Sequence, residues 1–170
     1  MKREKNLTWH RLNARSLDLT GLKIATVGGT GGIGRAISRF IASRGAIVLV
    51  VGQTFRDSGV RGIESIQADS SRMREARRVV ALLPAENLDI VTFTTGSFAA
   101  RKREETAEGI ERDMAISYLS RLVMLREIAP CLGKNRSESP IEPRVFIMGY
   151  PAQGKPAGSR TSVPKSHTGR

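Results

Sequence analysis

The chain has 170 residues, enough for one domain with a buried core, and 28 Lys+Arg against 16 Asp+Glu give it a net charge of +12. Residues 1–20 and 151–170 carry +3 and +4 of that excess, and aromatic residues make up 5%, so neither a folded basic groove nor a base-stacking surface for nucleic acid is expected. A single cysteine, Cys131, excludes an internal disulfide framework; His10 and His167 sit in the two ends, away from any metal cluster; and no apolar run reaches membrane-span length.

Residues 1–20 read as a basic, polar N-terminal arm leading into Gly21. Lys23–Val27 is a short apolar strand, and the glycine-rich stretch Gly28-Gly29-Thr30-Gly31-Gly32-Ile33-Gly34 follows it directly. Ile33, Ala36, Ile37, Phe40 and Ile41 then repeat at helical spacing, which predicts a helix over 33–43 with that stripe as its buried face. Gly45 ends the helix, and the continuous apolar run Ala46–Val51 predicts a buried parallel strand. A third strand is expected over 63–68. Ser70 or Ser71 then caps a helix through Leu83, whose apolar face is Met73, Ala76, Val79, Val80 and Leu83. Pro84 stops it. Leu88–Thr94 is a fourth strand running into Thr95-Gly96, and a largely buried helix is expected from about Glu111 to Ala129. Gly133–Pro143 is a polar loop before a fifth strand at Arg144–Gly149. The alternation predicts an α/β fold, a doubly wound parallel sheet of Rossmann type, over 21–150. Residues 151–170, with three prolines and three glycines among polar neighbours, are expected to be a disordered tail.

A strand, a glycine turn and a helix in this order form a phosphate cradle: bare backbone N–H groups approach a pyrophosphate, which rests on the positive helix end. Two registers fit, Gly29/Gly31/Gly34 as G-x-G-x-x-G and Gly28/Gly32/Gly34 as G-x-x-x-G-x-G. A dinucleotide reader places an acid at the end of the second strand, about 20 residues on, to accept the ribose hydroxyls of NAD; an Arg there favours the 2′-phosphate of NADP. No Asp or Glu lies between Arg35 and Arg56, and Gly52-Gln53-Thr54-Phe55-Arg56 holds the deciding place. Arg35 and Arg56 are therefore the candidates for a 2′-phosphate, with NADP preferred over NAD. Thr54 belongs to the same turn. Asp69, after the third strand, is placed either to touch the adenine amino group or to cap the next helix.

With these residues in view, the chain resembles the short-chain dehydrogenase/reductase family, and within it a group of fungal members. Val27–Gly34 is similar to the family's T-G-x-x-x-G-I-G with Val27 in the Thr place, and Thr94-Thr95-Gly96 stands where the family has Asn-Ala-Gly. The resemblance covers about residues 20–150. It implies hydride transfer between NAD(P) and a small carbonyl or alcohol substrate, with cofactor contacts at Gly28, Gly29, Thr30, Gly31, Gly32, Ile33, Gly34, Thr95 and Gly96. It also implies an Asn-Ser-Tyr-Lys catalytic set that this chain lacks. Ser117 stands at the Asn position and Gly149-Tyr150 where Ser is expected. Tyr118 is followed at i+4 by Leu122 and Tyr150 by Gly154, with Lys155 one residue late. No catalytic residue is assigned. The composition change near Pro151 reads as a frameshift, a mis-spliced exon or a truncation. Three functional readings follow: an oxidoreductase by descent lacking its catalytic half, a non-catalytic NADP-binding module acting through binding or a homodimer, and basic ends that bind nucleic acid. A cytoplasmic location is expected, with no membrane partner.

Overall fold

Five short apolar runs pair side by side in one direction, and the two-faced sheet they make decides where everything else packs. The computed structural model describes residues 13–14, 16–97 and 102–149. The strands are β1 (Lys23–Val27), β2 (Ile47–Gly52), β3 (Ile63–Gln67), β4 (Ile90–Phe93) and β5 (Arg144–Ile147), with α1 (Gly32–Ser43) and α2 (Met73–Leu82) between them. The long helix before β5 is a π-helical segment, Met114–Leu119, that continues as α3 (Ser120–Ile128). All pairings are parallel in the order β3-β2-β1-β4-β5, with Thr26 of β1 level with Val50 on one side and Thr92 on the other. The chain lays β2 and β3 to one side of β1, then crosses to place β4 and β5 on the other. That reversal opens a crevice at the carboxyl ends of β1 and β4, which is where the glycine turn begins.

Because side chains alternate along a strand, β1 feeds two separate cores. Ala25 and Val27 join Ala76 and Val79 of α2, Phe93, and Met124 and Ile128 of α3 on one face. Ile24 joins Val48, Val50 and Ile63 on the other face, where Ile41 and Ala42 of α1 pack. Full burial of Phe93, Met124 and Ile128 contributes roughly 1.5–3 kcal/mol for each side chain. The sheet is the doubly wound α/β architecture expected.

Three local expectations need correction. The stripe Ile33, Ala36, Ile37, Phe40 and Ile41 is not the buried face of α1: Ile33 is 64% exposed, and the fully covered positions are Gly34 and Ser38. The glycine turn brings α1 so close to the sheet that small residues must face it. Neither Ser70 nor Ser71 caps α2; its N-cap is Arg72, without a side-chain cap. The carboxylate of Glu108 does that work from across the fold, accepting from Met73 N at 2.8 Å and Arg74 N at 3.5 Å. The long helix is half-covered: Ala115, Ser120, Met124 and Ile128 are buried, while Met114, Tyr118 and Leu122 are exposed along one side. Most of the basic arm and the whole of 151–170, together with Tyr150, lie outside the described residues.

At the opposite end of the sheet from the glycine turn, Asp89 ties three strands together. Its buried carboxylate accepts from Lys23 N at 2.7 Å and, bidentately, from Arg136 Nε and Nη2 at 2.9 Å each. Arg136 Nη2 also donates to the Gly21 carbonyl, and Arg144 N to the Asp89 carbonyl. Burial opposes ionisation of Asp89, but the Arg136 and Lys23 donors outweigh it and hold the carboxyl below its usual range.

Candidate cofactor site

The turn after β1 is fixed by close contacts that only hydrogen at Cα permits. A Cβ on Gly34 would lie 2.3 Å from the Gly28 carbonyl oxygen and 2.3 Å from Thr94 Oγ1. Gly28, at φ +91°, would place one 2.6 Å from Thr95 N. Gly29 is similarly enclosed, whereas Gly31 and Gly32 face open space. The pair in contact is thus Gly28 and Gly34, the ends of the G-x-x-x-G-x-G register. Gly28 N donates to Val51 O, and both the backbone N–H and the hydroxyl of Thr94 donate to Val27 O at 2.8 and 3.0 Å. These bonds lock the β4 end to the turn. Above them α1 starts at its N-cap Gly31 with no side-chain cap and no acid in its first turn. The backbone donors of the helix start and its positive dipole end therefore have no acidic partner within the helix's own first turn.

On the β2 side, Gly52 holds the strand's last position. A Cβ there would fall 2.1 Å from Thr30 Oγ1, so the buried Thr30 side chain fills the space that an acid at this position would need. Gln53 Nε2 donates to Asp69 Oδ1 at 2.8 Å, and Ser71 N donates to the same oxygen at 2.9 Å. Asp69 therefore closes the turn ahead of α2 without reaching its first helical N–H. Burial opposes its ionisation, and the donors from Ser71 and Gln53 together with Arg72 prevail, holding it below the usual range. An open groove of ≈ 520 Å³ lies alongside, lined by Gln53, Asp69, Ser71, Thr106, Arg112 and Ile116 among others. The larger hollow, ≈ 830 Å³ between Gln67 and α2, lies beyond β3 and does not touch the glycine turn.

Thr54 and Arg56 are exposed. Arg35, by contrast, is engaged by Asp57, the residue immediately after Arg56. Asp57 is 3% exposed and accepts Arg35 Nε at 3.1 and 3.0 Å, Arg35 Nη2 at 2.7 Å and Arg39 Nη1 at 2.7 Å. The Arg35 hydrogen bonds outweigh burial and keep Asp57 below the ordinary carboxylate range; the same contact raises Arg35. The i, i+4 spacing of two arginines on α1 was the available signal, since a shared face needs a counter-ion.

At the β4 end, Thr95 is buried and its hydroxyl accepts from Arg121 Nε at 3.3 Å, while Arg121 Nη1 donates to Met148 O at 2.9 Å. Exposed Gly96 lies beside the same guanidinium. Burial lowers the pKa of Arg121, against the attraction of Asp113. Ser117, on the π-helical segment, donates to Asp113 Oδ1 at 2.6 Å and accepts from Ser97 N at 3.2 Å; Ser97 Oγ reaches the same carboxylate at 2.9 Å. The hydroxyl in the Asn place is thus held inside a small polar network. Among the described residues, Tyr118 is the one tyrosine; it is 57% exposed, with Leu122 one turn further on.

A doubly wound parallel sheet with a close-packed glycine turn at its switch point defines a dinucleotide-fold protein. No protein-family profile matches the chain. It is 44% identical over 157 residues, 91% of its length, to the "Uncharacterized oxidoreductase YKL107W" of Saccharomyces cerevisiae, and spans 51% of that protein. It is 26% identical over 143 residues to the human "Dehydrogenase/reductase SDR family member 12", covering 78% of this chain and 44% of the relative. A Pseudomonas aeruginosa RhlG/NADP complex superposes with a TM-score of 0.60 at 25% identity, over 78% of this chain and 56% of that one. Similar solved structures include a complex with NAD as well. The chain is thus similar to proteins named as an oxidoreductase and as a short-chain dehydrogenase/reductase family member, and it spans about half the length of the curated relatives it matches.

Proposed function

We propose that this chain is the dinucleotide-binding portion of an NADP(H)-preferring oxidoreductase that interconverts a small carbonyl and its alcohol. The observation that carries the reading is the bare start of α1 above the Gly28–Gly34 contact: a helix N-terminus with no cap of its own, held against the sheet by glycines. In this reading the backbone N–H groups of Gly31, Gly32, Ile33 and Gly34 hold the pyrophosphate, Thr30 borders the adenosine ribose and Asp69 faces the adenine. Thr95 and Gly96 line the nicotinamide side. When bound, the dinucleotide supplies or accepts the hydride.

Preference for NADP is supported by two features of the chain itself. Thr30 occupies the room of the acid that would select NAD, and Arg35 follows the last glycine with its charge near that corner. The reading assigned to this chain is cofactor binding, since the described Tyr118 has Leu122 rather than a Lys one turn on.

The test is a titration of the 170-residue chain with NADPH and NADH, read by cofactor fluorescence and by thermal shift. Saturable binding with NADPH preferred is expected, with stabilisation of about 2.7 kcal/mol at a hundredfold excess over Kd. A flat titration with both dinucleotides would overturn the assignment.

A further inference from the structure

Asp57 is a buried carboxylate on the loop that leaves β2, and it draws two arginines of α1 to one point. Arginines at i and i+4 repel each other, so their convergence needs this counter-ion. Asp57 grips Arg35 through Nε and Nη2, which leaves Nη1 as the donor with no partner among the described residues. Arg39 approaches the same carboxylate through Nη1 alone and remains 51% exposed. One carboxylate between two guanidiniums leaves the cluster with a net positive charge, and the free Nη1 of Arg35 can present it to an anion. The same carboxylate fastens the loop from Gln53 onward to the first two turns of α1, beside the Thr30–Gly52 contact where a ribose-reading acid is excluded.

We propose that Asp57 and Arg39 are the positioning pair of a 2′-phosphate site, Asp57 by aiming Arg35 and Arg39 by keeping the three-residue cluster net positive. The inference rests on the dinucleotide reading above and deepens it. It names two residues that touch no cofactor themselves but set how strongly the site distinguishes a phosphorylated ribose from a plain one.

The experiment uses the full chain and two probes that differ by one group, adenosine 2′,5′-bisphosphate and adenosine 5′-monophosphate, with calorimetry and thermal shift as readouts. The wild type is expected to prefer the bisphosphate. Arg39→Gln, at an exposed position that leaves the fold intact, is expected to lose about tenfold of that preference, because Asp57 then neutralises Arg35. Asp57→Asn is expected to lose a similar factor by releasing the aim of Arg35. Affinity for the monophosphate should stay the same in both variants. An unchanged preference in Arg39→Gln, a gain of preference in Asp57→Asn, or an equal loss for both probes would overturn the proposal. A wild type that binds both probes without preference would overturn it too. A wild type that binds neither probe overturns the dinucleotide reading itself.

Discussion

Asp57 and Asp89 are both buried carboxylates held by arginine, yet their surroundings differ in one respect that separates their roles. Asp89 sits where β1, β4 and β5 begin, and its partner Arg136 is itself mostly covered, with a side chain 18% exposed and a further bond to the Gly21 carbonyl. Nε and Nη2 of Arg136 are both used inside the fold. Asp57 sits beside the glycine turn, and its partners Arg35 and Arg39 keep side chains 34% and 51% exposed. One pair closes the sheet; the other leaves cations facing solvent at the candidate cofactor corner. The same ion-pair chemistry closes the fold where both partners are enclosed and, in the proposed reading, serves recognition where one is not.

The largest effect should come from the enclosed pair. Asp89→Ala strands a mostly buried guanidinium and frees Lys23 N, and a loss of about 3–5 kcal/mol in urea unfolding is expected; the probe preference of whatever folded protein remains should be unaltered. Gly34→Ala forces α1 away from Gly28 and Thr94, at a cost of roughly 1–3 kcal/mol, and it should weaken both nucleotide probes together, since it disturbs the turn rather than the arginine corner. Asp57→Asn is expected to cost about 1 kcal/mol, because Arg35 and Arg39 can turn to water. If Asp57→Asn proved as destabilising as Asp89→Ala, the distinction between the two pairs would collapse.

Acid sharpens the same contrast. Both carboxyls have folded values below the 3.8 of a free Asp. Each therefore contributes stability that is fully present above that value and lost as pH falls through the folded one. Urea midpoints should be insensitive to these groups at neutral pH and should drop below about pH 4, with a shallower drop in Asp89→Asn than in the wild type. The smallest effect is expected at Glu108, whose carboxylate caps α2 from an exposed loop: Glu108→Ala should cost about 0.5–1 kcal/mol, visible as a small fall in Tm.

Much of the architecture was legible in the chain because its signals are local. The run Ala46–Val51, the glycines at 28 and 34 and the period of Ala76, Val79 and Leu83 each follow from local spacing, and they match the observed elements to within a residue or two, β2 starting at Ile47, α1 at Gly32 and α2 ending at Leu82. The stripe on α1 was legible and misleading, since periodicity marks an apolar side without saying whether close approach of the backbone will let that side reach the sheet. Helix capping by Glu108, 35 residues from Met73, and the strand clamp of Asp89 with Arg136, 47 residues apart, leave no mark in any short window.

The candidate site divides the same way. By itself the sequence determined the parallel α/β order, the glycine turn and the lack of an acid at the end of β2, because these depend on residue type at fixed local spacing. Only the tertiary structure decided that Thr30 fills the place of that acid, that Asp57 rather than open solvent meets Arg35, and that Arg39 rather than Arg56 shares it. Those are contacts between a loop and a helix that fold onto each other, and their energies exist only once both are in place.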